Sequence, residues 1–249
     1  MPPHSDSNDE LIDTIYPDLN ELYDLPEQEQ TMYFSERVIL AAKNVDVDTL
    51  NEATLQRLPT EEKTYHSADE AFEDGRNPDN SVPQEYLNSI AISRMPLHLT
   101  TLKVGSVVIL LRNLDYSGGL CNGTRMIIVD LGQHIIRGKI LTEQHRGELA
   151  FIPRIALDTA TSSGLPFTLR RRQFPVRLAF AMTINKSRGQ SLKVVGIHLH
   201  TPVFSHGQLY VAISRATDCR QIYISLPLNA DGTLTTDNIV YSEVFPTGM

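Results

Sequence analysis

The arrangement of short apolar runs limits the possible folds more than any other feature of this sequence. Between about residues 96 and 170, turn signals separate four strand-like runs. These runs are residues 102–111, 124–131, 135–141 and 148–153. Short strands at this spacing favour a small antiparallel β-barrel.

The apolar runs on either side of this segment alternate with helical patterns. They are continuous, which is typical of strands covered on both faces. They are residues 37–44, 176–181, 194–199 and 222–226. Residues 45–58 have helical apolar spacing, and Asn44 or Asp46 is predicted to cap that helix. The alternation predicts a parallel α/β domain that the barrel interrupts.

Charge is divided unevenly along the chain. Residues 1–95 carry 21 acidic and 6 basic residues, whereas residues 96–249 carry 9 acidic and 16 basic residues. We interpret residues 1–30 as an acidic N-terminal arm. The basic excess of the second part is typical of contact with a polyanion, and two ordinary solvated surfaces are the alternative.

Basic side chains in the second part are candidate nucleic-acid contacts. Arg170, Arg171 and Arg172 form a basic cluster in a predicted loop. Further cations are predicted on the barrel: Arg112, Arg125, Lys139, Arg146 and Arg154. Together they predict salt-sensitive binding with little sequence preference, and a solvated face is the alternative.

Composition excludes several classes of protein. The longest apolar runs have about seven residues, whereas a membrane span needs about 20. The two cysteines, Cys121 and Cys219, are too few for a disulfide framework and indicate thiols in a reducing compartment. No histidine or cysteine spacing indicates a metal site. We therefore expect an intracellular protein without a membrane partner.

The segment 206–217, with the sequence HGQLYVAISRAT, places Arg215 on a short apolar helix. In a helix, Gln208 and Arg215 share one face because they are seven residues apart. A planar, permanently charged guanidinium suits phosphate, and it also suits the C-terminal end of a helix. Spacing alone leaves both roles open.

The segment 181–192, with the sequence AMTINKSRGQSL, is the second unusual block. Lys186, Ser187, Gly189 and Gln190 offer a cation, a hydroxyl, an open backbone and an amide, which together suit a phosphate group. A solvated helix cap is the alternative. The phosphate-binding pattern Gly-x-x-x-x-Gly-Lys-Ser/Thr does not occur in the sequence.

In their order and spacing, the two blocks resemble the last two motifs of the RecD-like DNA helicases of superfamily one. The likeness is to the PIF (petite integration frequency) branch and its Helitron-transposon relatives. Further segments are similar to the same family over roughly residues 30–249: residues 37–51, 102–115, 119–125, 151–154 and 173–177. One position departs from the family pattern, since Arg188 stands where Gln is usual.

This resemblance implies a fold. The chain would be an α/β protein, the second RecA-like domain of a helicase, with a parallel sheet, flanking helices and an inserted Src-homology-three-like β-barrel. The implied segments are an arm at 1–30, the first part of the RecA-like domain at 31–95, the barrel at 96–170 and the second part at 171–249.

The resemblance also implies a function, the C-terminal portion of an ATP-dependent 5′–3′ DNA helicase. Arg215 would be the arginine finger. Gly189, Gln190, Gln208 and Tyr210 would bind nucleotide. Asn44, Thr183, Lys186 and Ser187 would contact DNA, together with Arg170, Arg171 and Arg172.

The cofactors of the complete enzyme would be ATP and Mg²⁺. A first RecA-like domain, absent from this sequence, would supply the P-loop lysine and the magnesium ligands, so we expect the chain alone to be inactive. Its partners would be that domain and single-stranded DNA or DNA junctions, in the nucleus or the mitochondrion. The alternatives are a non-catalytic remnant that binds single-stranded DNA or a protein, and an unrelated α/β module that binds a phosphate ligand.

Overall fold

The computed structural model describes residues 4–5, 8–73, 77–78, 81–92, 95–160, 163–229, 232–241 and 243. The strands in these ranges are β1 (His4–Ser5), β2 (Arg37–Ala41), β3 (Glu62–His66), β4 (Ala68–Glu73), β5 (Asn77–Pro78), β6 (Leu99–Lys103), β7 (Val107–Leu110), β8 (Arg125–Leu131), β9 (Ile135–Ile140), β10 (Leu149–Pro153), β11 (Ile155–Asp158), β12 (Thr168–Gln173), β13 (Val176–Leu178), β14 (Ala181–Thr183), β15 (Val194–His198) and β16 (Ile222–Ser225). The α-helices are α1 (Asn8–Ile15), α2 (Glu27–Ser35), α3 (Asn44–Gln56), α4 (Gln84–Ser89) and α5 (Gln208–Ile213).

The chain divides into two compact units. The first unit comprises residues 1–59 and 178–249, and the second comprises residues 60–177. Residues 60–95, predicted to belong to the RecA-like domain, therefore lie in the second unit. The reason is strand pairing, because β3 pairs with β6 and β4 pairs with β12.

The first unit contains a parallel sheet in the order β1-β16-β15-β2-β14. Its central strands are the predicted apolar runs, which suit strands that are buried on both faces. Helix α1 packs against β15 and β16, and α3 packs against β14. The strand–helix alternation in the sequence thus correctly predicted a parallel α/β sheet.

The N-terminal segment of the first unit is part of this core. Leu11, Ile12 and Ile15 of α1 are buried, and the Tyr16 hydroxyl donates a 2.6 Å hydrogen bond to the carbonyl of Phe180. The interpretation as an arm is therefore corrected for residues 8–30. Three apolar side chains at helical spacing bind this acidic segment to the sheet, while residues 1–3 and 6–7 lie outside the described residues.

Helix α3 begins at Asn44, but neither predicted capping residue caps it. Its N-cap residue is Lys43, and no side chain bonds the helix end. Further along the helix, the buried Asn51 amide donates to the carbonyls of Leu178 and Ala181 at 3.2 and 3.0 Å. Its oxygen accepts from the Ala181 amide at 2.8 Å, so α3 is bonded directly to the start of β14.

Among the described residues, the second unit contains three sheets. The largest has the order β10-β9-β8-β7-β13, and the pairs among β7, β8, β9 and β10 are antiparallel. The others are β11-β12-β4-β5 and the ribbon β3-β6. The four strand-like runs predicted from the sequence form strands, although the run 102–111 is divided between β6 and β7.

Candidate nucleotide and nucleic-acid site

The two motif blocks lie side by side in the first unit. A short parallel bridge joins Leu192 to Ala216. The Leu192 amide donates to the Arg215 carbonyl at 2.9 Å, and the Thr217 amide donates to the Leu192 carbonyl at 3.0 Å. Residues about 25 positions apart in sequence therefore form one local structure.

Arg215 lies at the centre of this structure, two residues beyond the end of α5 rather than on a helix that extends to residue 217. Its Nε donates to the Val211 carbonyl at 3.0 Å, and its Nη1 donates to the Gln190 carbonyl at 3.1 Å. Its Nη2 contacts the Ser214 hydroxyl at 3.0 Å. The half-buried guanidinium thus covers a carbonyl of the last helical turn and connects the two blocks.

Gln208 and Tyr210 occupy different environments. Gln208 is only 1% exposed, and its Oε1 accepts from the Phe204 amide at 3.0 Å. Its Nε2 is buried and has no hydrogen-bond partner among the described residues. Tyr210, by contrast, is 74% exposed. A ligand at the surface can therefore reach Tyr210 but not the Gln208 side chain as it stands.

The second block follows β14 as a 3₁₀ turn over Ile184–Ser187. The Ser187 hydroxyl is buried and donates to the Ile184 carbonyl at 2.7 Å, so it stabilises the turn rather than facing a ligand. Lys186 is exposed, and Thr183 is half-buried at the end of β14.

Gly189 and Gln190 continue the second block. Gly189 adopts a left-handed conformation with φ of 79°, and the space beside its Cα is open, so a ligand can approach the backbone there. The main-chain N–H of Gln190 donates to the Ser187 carbonyl at 3.1 Å. Asn44, predicted to lie near DNA, is an exposed residue at the start of α3.

The basic cluster of residues 170–172 lies on strand β12 rather than in a loop. Arg170 makes two hydrogen bonds to Asp158, at 2.7 and 2.8 Å, and this ion pair lowers the pKa of the Asp158 carboxyl. Arg171 is fully buried, which excludes it from contact with DNA in this conformation. Arg172 is exposed. Because successive side chains of a strand point to opposite faces, Arg171 is buried while Arg170 and Arg172 reach solvent.

Arg171 is held by an internal network in the second unit. Its Nη2 lies 2.7 Å from Asp69 Oδ2, and neither side chain is exposed to solvent. The guanidinium also donates to three main-chain carbonyls, those of Leu87, Ile90 and Pro96. This arrangement is structural, since charge and donors are both satisfied within the protein.

Two further cations predicted for a nucleic-acid path differ in exposure. Arg125 is only 2% exposed. Arg154 is partly buried: its guanidinium lies 5.0 Å from the centre of the Phe174 ring and donates to the His66 carbonyl at 2.7 Å. Since Arg125 lies on β8, a correct assignment of it would have required its parity on the strand, which a count of charges does not contain.

Sequence reasoning missed two histidine groupings. His198, at the end of β15, stacks on His200 with ring centres 4.5 Å apart. Its Nε2 lies 2.8 Å from Asn8 Oδ1 and must donate, because an amide oxygen only accepts. Burial, and secondarily the neighbouring His200, lowers the pKa of His198 to about 4. The neutral His198 ring therefore binds Asn8, the first residue of α1.

The other grouping, Ser67, Asp69 and His98, has the residue types of a hydrolase triad but a different geometry. The Ser67 hydroxyl donates to Asp69 at 2.6 Å and lies 2.8 Å from His98 Nδ1. A triad needs serine and aspartate on opposite nitrogens of the histidine. Here Asp69 is paired with Arg171 instead, so the grouping supports the fold of the second unit.

The described residues contain no cluster of three or more His, Cys, Asp or Glu side chains suited to a metal ion. No helix among them is both long and apolar enough to pass through a membrane. The joined blocks offer a ligand the Arg215 guanidinium, the exposed Lys186, the open backbone at Gly189 and the exposed Tyr210.

Comparison with known proteins finds similarity to DNA helicases. Residues 85–131 match the family model described as the 2B domain of the DNA helicase Pif1. The chain is similar in sequence to Pif1-type DNA helicases. It is 36% identical over 174 residues to the ATP-dependent DNA helicase PIF1 of Danio rerio, and 35% identical over 175 residues to that of Homo sapiens.

These alignments cover 69% of the chain but only 24% of each curated relative. The chain therefore spans about a quarter of the length of the curated relatives it matches.

Solved Pif1 structures share the fold. A Bacteroides Pif1 bound to single-stranded DNA matches with a TM-score of 0.55 and 23% identity, over 86% of this chain and 48% of that one. The Candida albicans Pif1 helicase matches with a TM-score of 0.56 and 21% identity, over 87% and 53% of the two chains. The fold thus corresponds to about half of a Pif1 chain.

Proposed function

We propose that this chain is the C-terminal portion of an ATP-dependent 5′–3′ DNA helicase of the Pif1 type. Its first unit would be the second RecA-like domain, and its second unit would carry the Src-homology-three-like barrel. The parallel sheet of the first unit, the match of residues 85–131 and the identity to curated helicases support this assignment.

The observation that carries the proposal is the position of Arg215. Main-chain carbonyls of both motif blocks hold its guanidinium, so the charge is placed before any nucleotide arrives. An arginine placed in this way stabilises the charge that develops on a transferring γ-phosphate, which can be worth about 10³–10⁵ in rate. Gly189, Gln190 and Tyr210 would line the nucleotide, with Gln208 beneath them.

ATP and Mg²⁺ would be held mainly by a separate first RecA-like domain, since this sequence has no P-loop. Exposed aromatic and apolar side chains in the segment around the Arg215 block suit contact with such a domain. Tyr210, Phe204 and Ile213 are 74%, 55% and 41% exposed, and clustered exposed apolar side chains are typical of interaction surfaces. The chain alone would then neither hydrolyse ATP nor unwind DNA.

DNA would contact Asn44, Thr183 and Lys186 in the first unit. These residues lie at the start of α3 and at the end of β14, where polar groups and open backbone suit a phosphate chain. In the second unit, Arg172 and the partly neutralised Arg170 would add cations. Ser187 would contribute through its backbone, and Arg171 has no direct role.

The proposal is tested by joining the full chain to a P-loop-bearing first RecA-like domain of a Pif1 helicase. We expect DNA-stimulated ATP hydrolysis from this protein and a loss of at least about 10³-fold in Arg215→Ala, with nucleotide affinity retained. Arg220→Ala is the matched control, because Arg220 is exposed and pairs with the nearby Asp218. An active Arg215→Ala protein, or an inactive parent, contradicts the assignment.

The second candidate function is that of a non-catalytic remnant that binds single-stranded DNA. Exposed cations such as Lys186 and Arg172 favour it. Binding of DNA by the chain without nucleotide, with affinity falling steeply with salt, supports this candidate. ATP hydrolysis by the pure 249-residue chain would overturn both candidates.

A further inference from the structure

Strand β10 in the second unit exposes apolar side chains to solvent. Leu149 and Phe151 are 46% and 55% exposed, whereas Ala150 and Ile152, which alternate with them, are buried. Ala150 and Ile152 therefore point into the core of the second unit, and Phe151 presents its aromatic ring on the opposite, solvent-exposed face of β10. Exposed apolar side chains that adjoin one another on one face of a strand are typical of a binding surface.

The register of β9 and β10 sets two cations beside these apolar groups. Phe151 lies directly opposite Arg137, and Leu149 lies directly opposite Lys139. Directly opposed residues share a face, with Cβ atoms about 5 Å apart, and Arg137 and Lys139 are about 7 Å apart along their strand. The β9–β10 face is hereafter the surface of Ile135, Arg137, Lys139, Leu149 and Phe151.

The ion pair that Arg137 makes on this face is exposed to solvent. Arg137 Nε lies 3.2 Å from Asp130 Oδ2, and both side chains are about half exposed, at 48% and 47%. Ion pairs at such exposure contribute little to stability, so a phosphate can replace the carboxylate at low cost. Arg137 can therefore turn toward a ligand on the face without unfolding the sheet.

We propose that the β9–β10 face binds single-stranded nucleic acid, with a base stacked on Phe151 and phosphates near Arg137 and Lys139. Stacking on an exposed ring needs bases whose faces are free, which a duplex does not offer. The two cations beside the ring match a phosphate chain, whereas an apolar protein surface would have to desolvate them. This contact lies outside the residues assigned to DNA under the proposed function.

The test measures the affinity of the full chain for a fluorescent oligo-dT by anisotropy. Phe151→Ala and Phe151→Leu should weaken binding by roughly 5- to 150-fold, because each removes the aromatic ring. Phe151→Tyr should bind like the parent, because it keeps the ring. Circular dichroism of each variant checks the fold, which an exposed position should leave unchanged.

A second readout uses the cations of the face. Arg137→Gln should reduce the slope of log affinity against log salt by about 0.7, the value for one phosphate contact on a single strand. An unchanged slope argues against the phosphate contact. Equal affinity of Phe151→Leu and the parent overturns the proposal and indicates a surface for an apolar protein partner instead.

Lys186→Ala, measured in parallel, separates this face from the DNA contacts of the proposed function. Loss of binding in Phe151→Leu alone supports the face and leaves the first-unit contacts without support. Loss of binding in Lys186→Ala alone supports the first-unit contacts and contradicts the β9–β10 face. A parent chain that binds no oligo-dT overturns the face, whereas the role of Arg215 is decided separately by ATP hydrolysis.

Discussion

Arg171 and Asp69 show how a single residue can have a different role from its neighbours in the sequence. Both side chains are fully buried, and the guanidinium bonds three carbonyls as well as the carboxylate. Arg172, one position along the strand, is exposed. A basic triplet that looks uniform in the sequence is therefore one structural residue between two surface residues.

Arg171→Ala should destabilise the second unit by about 3–5 kcal/mol, because it leaves the Asp69 carboxylate buried without its partner. Urea unfolding measures the change. Arg172→Ala is the control on the same strand and should lie within about 0.5 kcal/mol of the parent. Similar values for the two variants would mean that the ion pair does not stabilise the unit.

His198 makes a prediction about pH. Since burial lowers the pKa of His198 to about 4 in the folded protein, the unfolded chain binds a proton more readily. Its contribution to stability is present above about pH 6.5 and is lost as the pH falls toward 4. Urea unfolding of His198→Gln, which keeps a donor to Asn8, should depend less on pH in this window. Identical pH profiles would refute the assignment.

At the scale of elements, contact between α1 and β15 depends on a glycine. A Cβ on Gly196 would lie 2.8 Å from Ile15 Cγ1, closer than two carbons can pack. This close approach explains how a helix rich in acidic residues lies flat on the parallel sheet. The strand–helix alternation of the sequence predicted β15. Only the packing of α1 shows why residue 196 is a glycine, since a larger side chain would collide with Ile15.

Gly196→Ala should cost about 1–3 kcal/mol through overpacking against Ile15. Ile15→Ala removes the opposing atoms, so the double variant should show a favourable coupling of at least about 0.5 kcal/mol. Unfolding of the parent, both single variants and the double variant completes the cycle. Strictly additive values would indicate that the two residues do not meet.

At the scale of the whole molecule, the N-terminal segment belongs to the core of the first unit. Leu11, Ile12, Ile15 and Tyr16 are each at most 1% exposed, and Arg57, the residue that follows α3, pairs with Asp9 and Asp13 of α1. The acidic composition of residues 1–30 predicted an arm because charged residues outnumber the few apolar residues in this segment. Those few apolar residues are the ones that pack against the sheet. The acids face solvent or Arg57, and the apolar side chains face the sheet.

Deletion of residues 1–25 should therefore expose β15 and β16 and destabilise the first unit. Each buried apolar side chain contributes about 1.5–3 kcal/mol, so loss of four is comparable to the stability of a small domain. Hydrogen exchange should show faster exchange in the first unit, with amides of β8 and β9 as the internal control. Unchanged protection of β15 would show that the segment is dispensable.

The sequence by itself determined the class of the sheet, the apolar runs that form β2, β7–β10, β15 and β16, and the two motif blocks. These follow from local patterns, namely apolar runs, turn residues and the spacing of charged groups. The resemblance to helicases added the roles proposed for Arg215 and its neighbours, which remain to be tested. Local patterns were enough to predict structure where it depends only on residues of the same strand or helix.

Only the tertiary structure decided which segments pair and which way each side chain faces. Residues 60–95 joined the second unit because β3 and β4 found partners at β6 and β12. The Ser187 hydroxyl was bonded within its turn, and Arg171 was buried against Asp69. The pairing of residues 60–95 and the burial of Arg171 depend on partners far away in the chain, whereas the Ser187 bond lies within its own turn. Strand parity, which the pairing sets, decides between burial and exposure.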